Sequence, residues 1–139
     1  MSSASNYTEL NIINAMLRGI AYPMPTNTWV SLHTADPGED GANEVSTTDW
    51  PSYKRICAEL TGAIGTGWIE PVDGVTKNSN QLIFPTHNGA VATTVTHFAV
   101  YDAETGGNML VYAPLTATRS VAPDDVFLFD TNAINIAAA

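Results

Sequence analysis

Histidines are the residues best suited to acid–base or metal chemistry, and this chain has them at positions 33, 87 and 97. None has a second histidine or a cysteine at the short spacing a zinc site uses, so no zinc is assigned. His33 and His97 lie in strand-like stretches, where a cross-strand or interface role is expected. His87 lies in a loop and is expected to be solvated. A serine nucleophile needs a base and an orienting acid, and the chain has no Gly-x-Ser-x-Gly elbow. The single cysteine, Cys57, cannot form an intrachain disulfide. No local base or helix N-terminus activates it, so it is read as a small buried apolar residue.

The strongest metal candidate is the acidic loop of Asp36, Glu39, Asp40 and Glu44. Oxygen-rich loops with glycine hold calcium, but this spacing lacks the alternate ligands and distal glutamate of an EF-hand. A solvated loop is the preferred reading, and no metal is assigned. Asp124 and Asp125 follow Pro123 and read as a turn. Gly62, Gly65 and Gly67 precede no helical pattern, so they fail as a phosphate loop. Trp29, Trp50 and Trp68 lie far apart and are read as packing residues. The expectation is a non-enzymatic protein without a cofactor.

Composition narrows the partners. The 139 residues include five basic and fourteen acidic ones, a formal net charge of −9, and only 14% are charged. Nucleic acid and anionic membranes require clustered Lys and Arg, so neither is expected as a partner. Low charge suits packing against other chains, because fewer ions must be desolvated. No apolar run reaches the length of a membrane span, and no signal peptide is read at the N-terminus. Folding in a reducing cytoplasm is expected.

The elements that must position these residues follow from periodicity. Asn6 with Glu9 fits a capping box. Leu10, Ile13, Leu17 and Ile20 recur at helical spacing, with Ile12 and Met16 widening the stripe. Gly19 is placed to end the helix, and Tyr22-Pro23-Met24-Pro25 forbids its continuation. A helix is therefore read from Asn6 to about Gly19. Period two then takes over. Strands are expected at Thr28–Thr34, Tyr53–Leu60, Gln81–Phe84, Val91–Tyr101, Met109–Tyr112, Val126–Phe129 and Ala133–Ile136. The reading is mostly β: an antiparallel β-sandwich or barrel of about seven short strands, preceded by one N-terminal α-helix. It is a single domain over 1–139, with an arm and helix over 1–22 and a β body over 28–139. No internal repeat or heptad is read.

Several blocks run together in a recognisable order. Asn14-Ala15-Met16-Leu17-Arg18-Gly19 leads to Leu32-His33-Thr34-Ala35-Asp36-Pro37-Gly38, then Asn43-Glu44-Val45-Ser46 and Tyr53-Lys54-Arg55. Asn78-Ser79-Asn80, Ile83-Phe84-Pro85 and Val95-Thr96-His97-Phe98 follow. Over nearly its whole length the chain resembles a family of small tailed-bacteriophage virion proteins, often labelled phage tail fibre proteins. It departs from similar proteins at Thr47-Thr48-Asp49-Trp50-Pro51, where they tend to carry a short glycine-rich stretch.

The resemblance implies a virion structural role without catalysis. A compact domain suggests a capsid decoration (cement) protein that binds and stabilises the outer shell. The alternative is a tail fibre or baseplate-associated module that contributes to host-surface recognition, and a third class is a small glycan hydrolase or lectin. The implied partners are the major capsid protein, other virion proteins and further copies of this chain, in a virion assembled in the host cytoplasm. Tyr7, Leu10, Met16, Tyr22 and Met24 are the candidate partner-binding residues. Two roles stand open for the helix: anchoring on a partner, or capping the open end of the sandwich.

Overall fold

A computed structural model describes residues 2–138. Strand β1 (Ser3–Ala4) leads into helix α1 (Asn6–Arg18). The N-cap is Ser5, not Asn6: Ser5 is extended, and its side chain accepts the Thr8 N–H at 3.2 Å. Asn6 and Glu9 also fit the capping-box spacing, so spacing alone puts the cap one residue late. Gly19 ends the helix in the left-handed region, at φ 67°, where a residue without Cβ is unstrained.

The body is antiparallel β. Strands β2 (Trp29–His33), β3 (Ile56–Cys57), β6 (Thr93–Tyr101) and β7 (Met109–Val121) join β1 in a five-stranded sheet of order β1-β7-β6-β2-β3. Two small sheets pair β4 (Val75–Lys77) with β9 (Asn135–Ala137) and β5 (Leu82–Ile83) with β8 (Leu128–Phe129). The sheets stack as a sandwich and do not close into a barrel through continuous strand pairing.

Alternation assigns the faces. Val30 and Leu32 stand opposite Val100 and Phe98, which in turn face Val111 and Ala113. This row is one wall of the core. Phe84, Phe127 and Phe129 form the other wall, and Phe98 meets Phe129 edge-on at 5.8 Å between ring centroids. The opposite face of the large sheet carries a smaller cluster of Ala99, Tyr101 and Met109.

Some strands differ from the expected ones. Strand β7 continues past Tyr112 to Val121. Pro114 hides this, since proline reads as a strand stop, yet it is tolerated at a bulge. The register slips there: Val95 faces Arg119, His97 faces Pro114, and Leu115–Thr118 stand opposite Thr96 alone. The Tyr53–Leu60 stretch shrinks to Ile56–Cys57, and Leu60 turns with φ 56°. Strands β1 and β4 are too short to show a period. His87 is fully buried, contrary to its solvated reading. It stacks on Trp50 at 4.9 Å, its Nδ1 accepts the Gly89 N–H, and its Nε2 meets the Thr93 hydroxyl.

Candidate interaction surface on the N-terminal helix

Helix α1 is fastened to the domain by polar contacts at its start. The Ser5 N–H donates to the Leu110 carbonyl at 3.0 Å, and the Thr8 hydroxyl donates to the same oxygen at 2.8 Å. The Ser5 hydroxyl also reaches the Met109 carbonyl. Thr8 is the buried residue of the helix, and Asn11, Asn14 and Ala15 are half-buried. At about 100° per residue, Thr8, Asn11 and Ala15 share one side. The helix therefore rests on β7 through small and polar residues.

Its apolar side points the other way. Leu10 is 65% exposed, Ile13 52%, Met16 71% and Leu17 77%. These four share a stripe roughly opposite Thr8 and Ala15. Beyond the Gly19 cap, Ile20 and Met24 are exposed as well, while Tyr7 and Tyr22 are half-buried. A soluble helix ordinarily turns such a stripe inward, and an exposed patch of this kind marks an interaction site. Of the candidate partner-binding residues, Leu10 and Met16 lie on this stripe, and Met24 is exposed in the segment beyond the cap. Ile13 and Leu17 join the stripe; their helical spacing was visible in the sequence, but their exposure was not.

The acid–base candidates are differently placed. His33 Nε2 lies 2.9 Å from the Ser31 hydroxyl, and its Nδ1 lies 2.8 Å from the Ala42 carbonyl. Residues two apart on a strand share a face, so β2 creates this serine–histidine pair. Both residues are fully buried, which keeps substrate from the hydroxyl. Burial is also the main cause that pushes the His33 pKa below its ordinary value.

Glu44 does not combine with Asp36, Glu39 and Asp40. Arg55 grips its carboxylate with Nε at 2.9 Å and Nη2 at 2.8 Å, and the Tyr53 hydroxyl donates at 2.7 Å. Burial raises the Glu44 pKa, but these bonds outweigh it and leave the carboxyl below its ordinary value. Arg55 Nη1 bonds the Ala103 and Gly106 carbonyls, and the guanidinium lies 3.5 Å from the Tyr101 ring centroid. An open cavity of about 390 Å³ borders this group, but its arginine is committed to internal contacts. Asp36 accepts the Gly38 N–H and shapes its own turn. Among the described residues, no cluster of three or more His, Cys, Asp or Glu could hold a metal ion. Cys57 is buried, and burial chiefly raises its pKa.

Fold and surface together define a class: a small antiparallel β domain with an uncovered apolar helix at its edge. The protein family described as Podophage GP4 fiber I protein gp80 matches residues 3–137. The chain belongs to this family and is a bacteriophage virion structural protein, in keeping with the resemblance read from its sequence blocks. No curated protein matches it.

Proposed function

We propose that this chain is a non-enzymatic fibre component of a tailed-phage virion, held in the particle through the apolar side of α1. The observation that carries the reading is the exposed stripe of Leu10, Ile13, Met16 and Leu17 on a helix whose inner side is polar. The helix shields little of the sandwich, so capping the domain does not account for its leucines and isoleucines. The family description names a fibre, which favours the fibre reading over capsid decoration. Burying exposed Leu, Ile or Met contributes up to about 1.5–3 kcal/mol per side chain, and several copies in one particle multiply modest contacts into firm attachment.

The test is a phage carrying Leu10→Glu and Leu17→Glu together. Purified virions should lose most of this chain by quantitative mass spectrometry, and undiminished incorporation would refute the helix as the attachment. Immunogold labelling of wild-type particles separates the locations. Label on tails fits a fibre, whereas label spread over heads would restore the decoration reading.

A further inference from the structure

We infer that the cavity beneath the β7 bulge binds a small amphiphilic anion, its carboxylate on Arg119 and its apolar tail between the large sheet and the β4–β9 pair. The site is separate from the attachment through α1 and uses none of that helix's residues. Where β6 pairs with β7, Val95 faces Arg119 and His97 faces Pro114, so Leu115–Thr118 stand against Thr96 alone. Pro114 has no N–H to give the ladder, and a bulged strand bends away from its partner. Beneath the bend lies a partly enclosed cavity of about 290 Å³. Leu115 and Ala117 line it from β7, Ala133 and Ala137 from the segment that carries β9, and Phe98 and Phe129 from the core. Ser2 fixes one end: its hydroxyl accepts the Ala137 N–H at 2.8 Å and donates to the Ala137 carbonyl at 3.1 Å.

Surroundings, size and charge together describe the ligand. Domain interiors hold few voids larger than a water molecule, and this one reaches Phe98 and Phe129, two aromatic rings of the core. Such a wall gains by apolar cover. The volume exceeds the ~150 Å³ that admits benzene and lies at the low end of ligand pockets, roughly 300–1,000 Å³. An aliphatic tail of medium length fits, whereas a hydroxyl-rich sugar would find few polar partners. The head group follows from charge. Among the lining residues Arg119 alone is charged, on a chain with fourteen acidic residues, and Thr116 and Asn135 are neutral. Arg119 is also held in place. Its Nη1 donates to the Leu128 carbonyl at 3.1 Å, and its guanidinium stands 4.9 Å from the Phe127 ring centroid. Asp125, which shares a smaller recess with Arg119, accepts the Ala122 N–H instead. Among the described residues no carboxylate pairs with Arg119, and its Nε and Nη2 have no hydrogen-bond partner. Those two nitrogens are the pair that meets a carboxylate side-on.

The test titrates the purified full chain with octanoate, octanol and octylammonium, followed by backbone amide NMR shifts. Octanoate should bind with a dissociation constant on the order of 0.1 mM, and its shifts should gather on Ala113–Arg119 and Ala133–Ala137. Octanol should bind about tenfold more weakly, and octylammonium more weakly still. Added salt should weaken octanoate and leave octanol unchanged. Arg119→Gln should reduce octanoate to the affinity of octanol, while Arg119→Lys keeps part of the preference. Ala133→Phe, at an exposed position on the wall, should exclude both probes with an unchanged circular dichroism spectrum. The variant carrying Leu10→Glu and Leu17→Glu should bind octanoate as the wild type does, so the fate of the α1 attachment does not decide this site. Equal binding of octanoate and octanol would overturn the inference, as would shifts gathered elsewhere, indifference to Ala133→Phe, or no saturable binding of octanoate below about 10 mM. Should Arg119→Gln unfold the chain, the contrast between octanoate and octanol on the wild type still decides.

Discussion

At the residue scale, chemistry-bearing side chains are spent on the fold. Ser31 and His33 have the contact of a nucleophile and its base, yet both lie in the interior. Their identities were readable, but their burial was not, because it depends on the loop that brings the Ala42 carbonyl to His33. Likewise, Glu44 belongs by sequence to an acidic loop and in space to Arg55, eleven residues away. Both groups contribute to the acid response. The folded pKa of His33 lies below its ordinary 6.5, so the folded state takes up its proton later than the unfolded chain. His33 therefore contributes full stability above about pH 6.5, lost as pH falls through that value toward the folded pKa. Glu44, also lowered, adds a second loss below its ordinary 4.5. Urea midpoints should fall from pH 7.5 to pH 5.5, and His33→Gln should flatten that slope. A wild-type midpoint that does not move would contradict the burial argument.

At the element scale, legibility depended on length. The nine residues of β6 alternate openly, and α1 shows its period, its C-cap and its proline stop. Strands of two residues carry no period, and β7 conceals its second half behind Pro114 and a bulge. The helix itself was legible, whereas the direction of its apolar side was not. Periodicity locates a stripe, but the neighbour decides whether the stripe is core, and here Leu110 and Met109 hold the polar side. The cap is Ser5, one residue before the Asn6 that the spacing suggests, and substitution separates the two positions. Ser5→Ala removes the acceptor for Thr8 and the bond to Met109 and should cost about 1–2 kcal/mol. Asn6→Ala, at an exposed position past the cap, should stay within about 0.5 kcal/mol. Equal losses in chemical denaturation would return the cap to Asn6.

At the scale of the whole molecule, stability and attachment occupy separate parts. The large sheet and the β5–β8 pair are joined by aromatic rings, and Phe129 is their hub: it meets Phe98 at 5.8 Å, Phe84 at 6.2 Å and Phe127 at 5.1 Å between centroids. The Arg119 guanidinium covers the Phe127 ring at 4.9 Å from its centroid, and between the rings themselves the layers are held by apolar burial and edge-to-face contact. Truncating the hub leaves a cavity that three neighbouring rings cannot fill without leaving their own contacts. Phe129→Ala should therefore cost about 3–5 kcal/mol. Leu17→Ala, on the outward side of α1, removes a larger share of exposed apolar surface but little internal packing, and should change the stability of the dilute monomer by no more than about 0.5 kcal/mol. Denaturant titrations at low protein concentration compare the two directly. A large loss for Leu17→Ala would mean that the outward stripe packs within its own chain, and the division between a self-sufficient sandwich and a helix reserved for neighbours would fail.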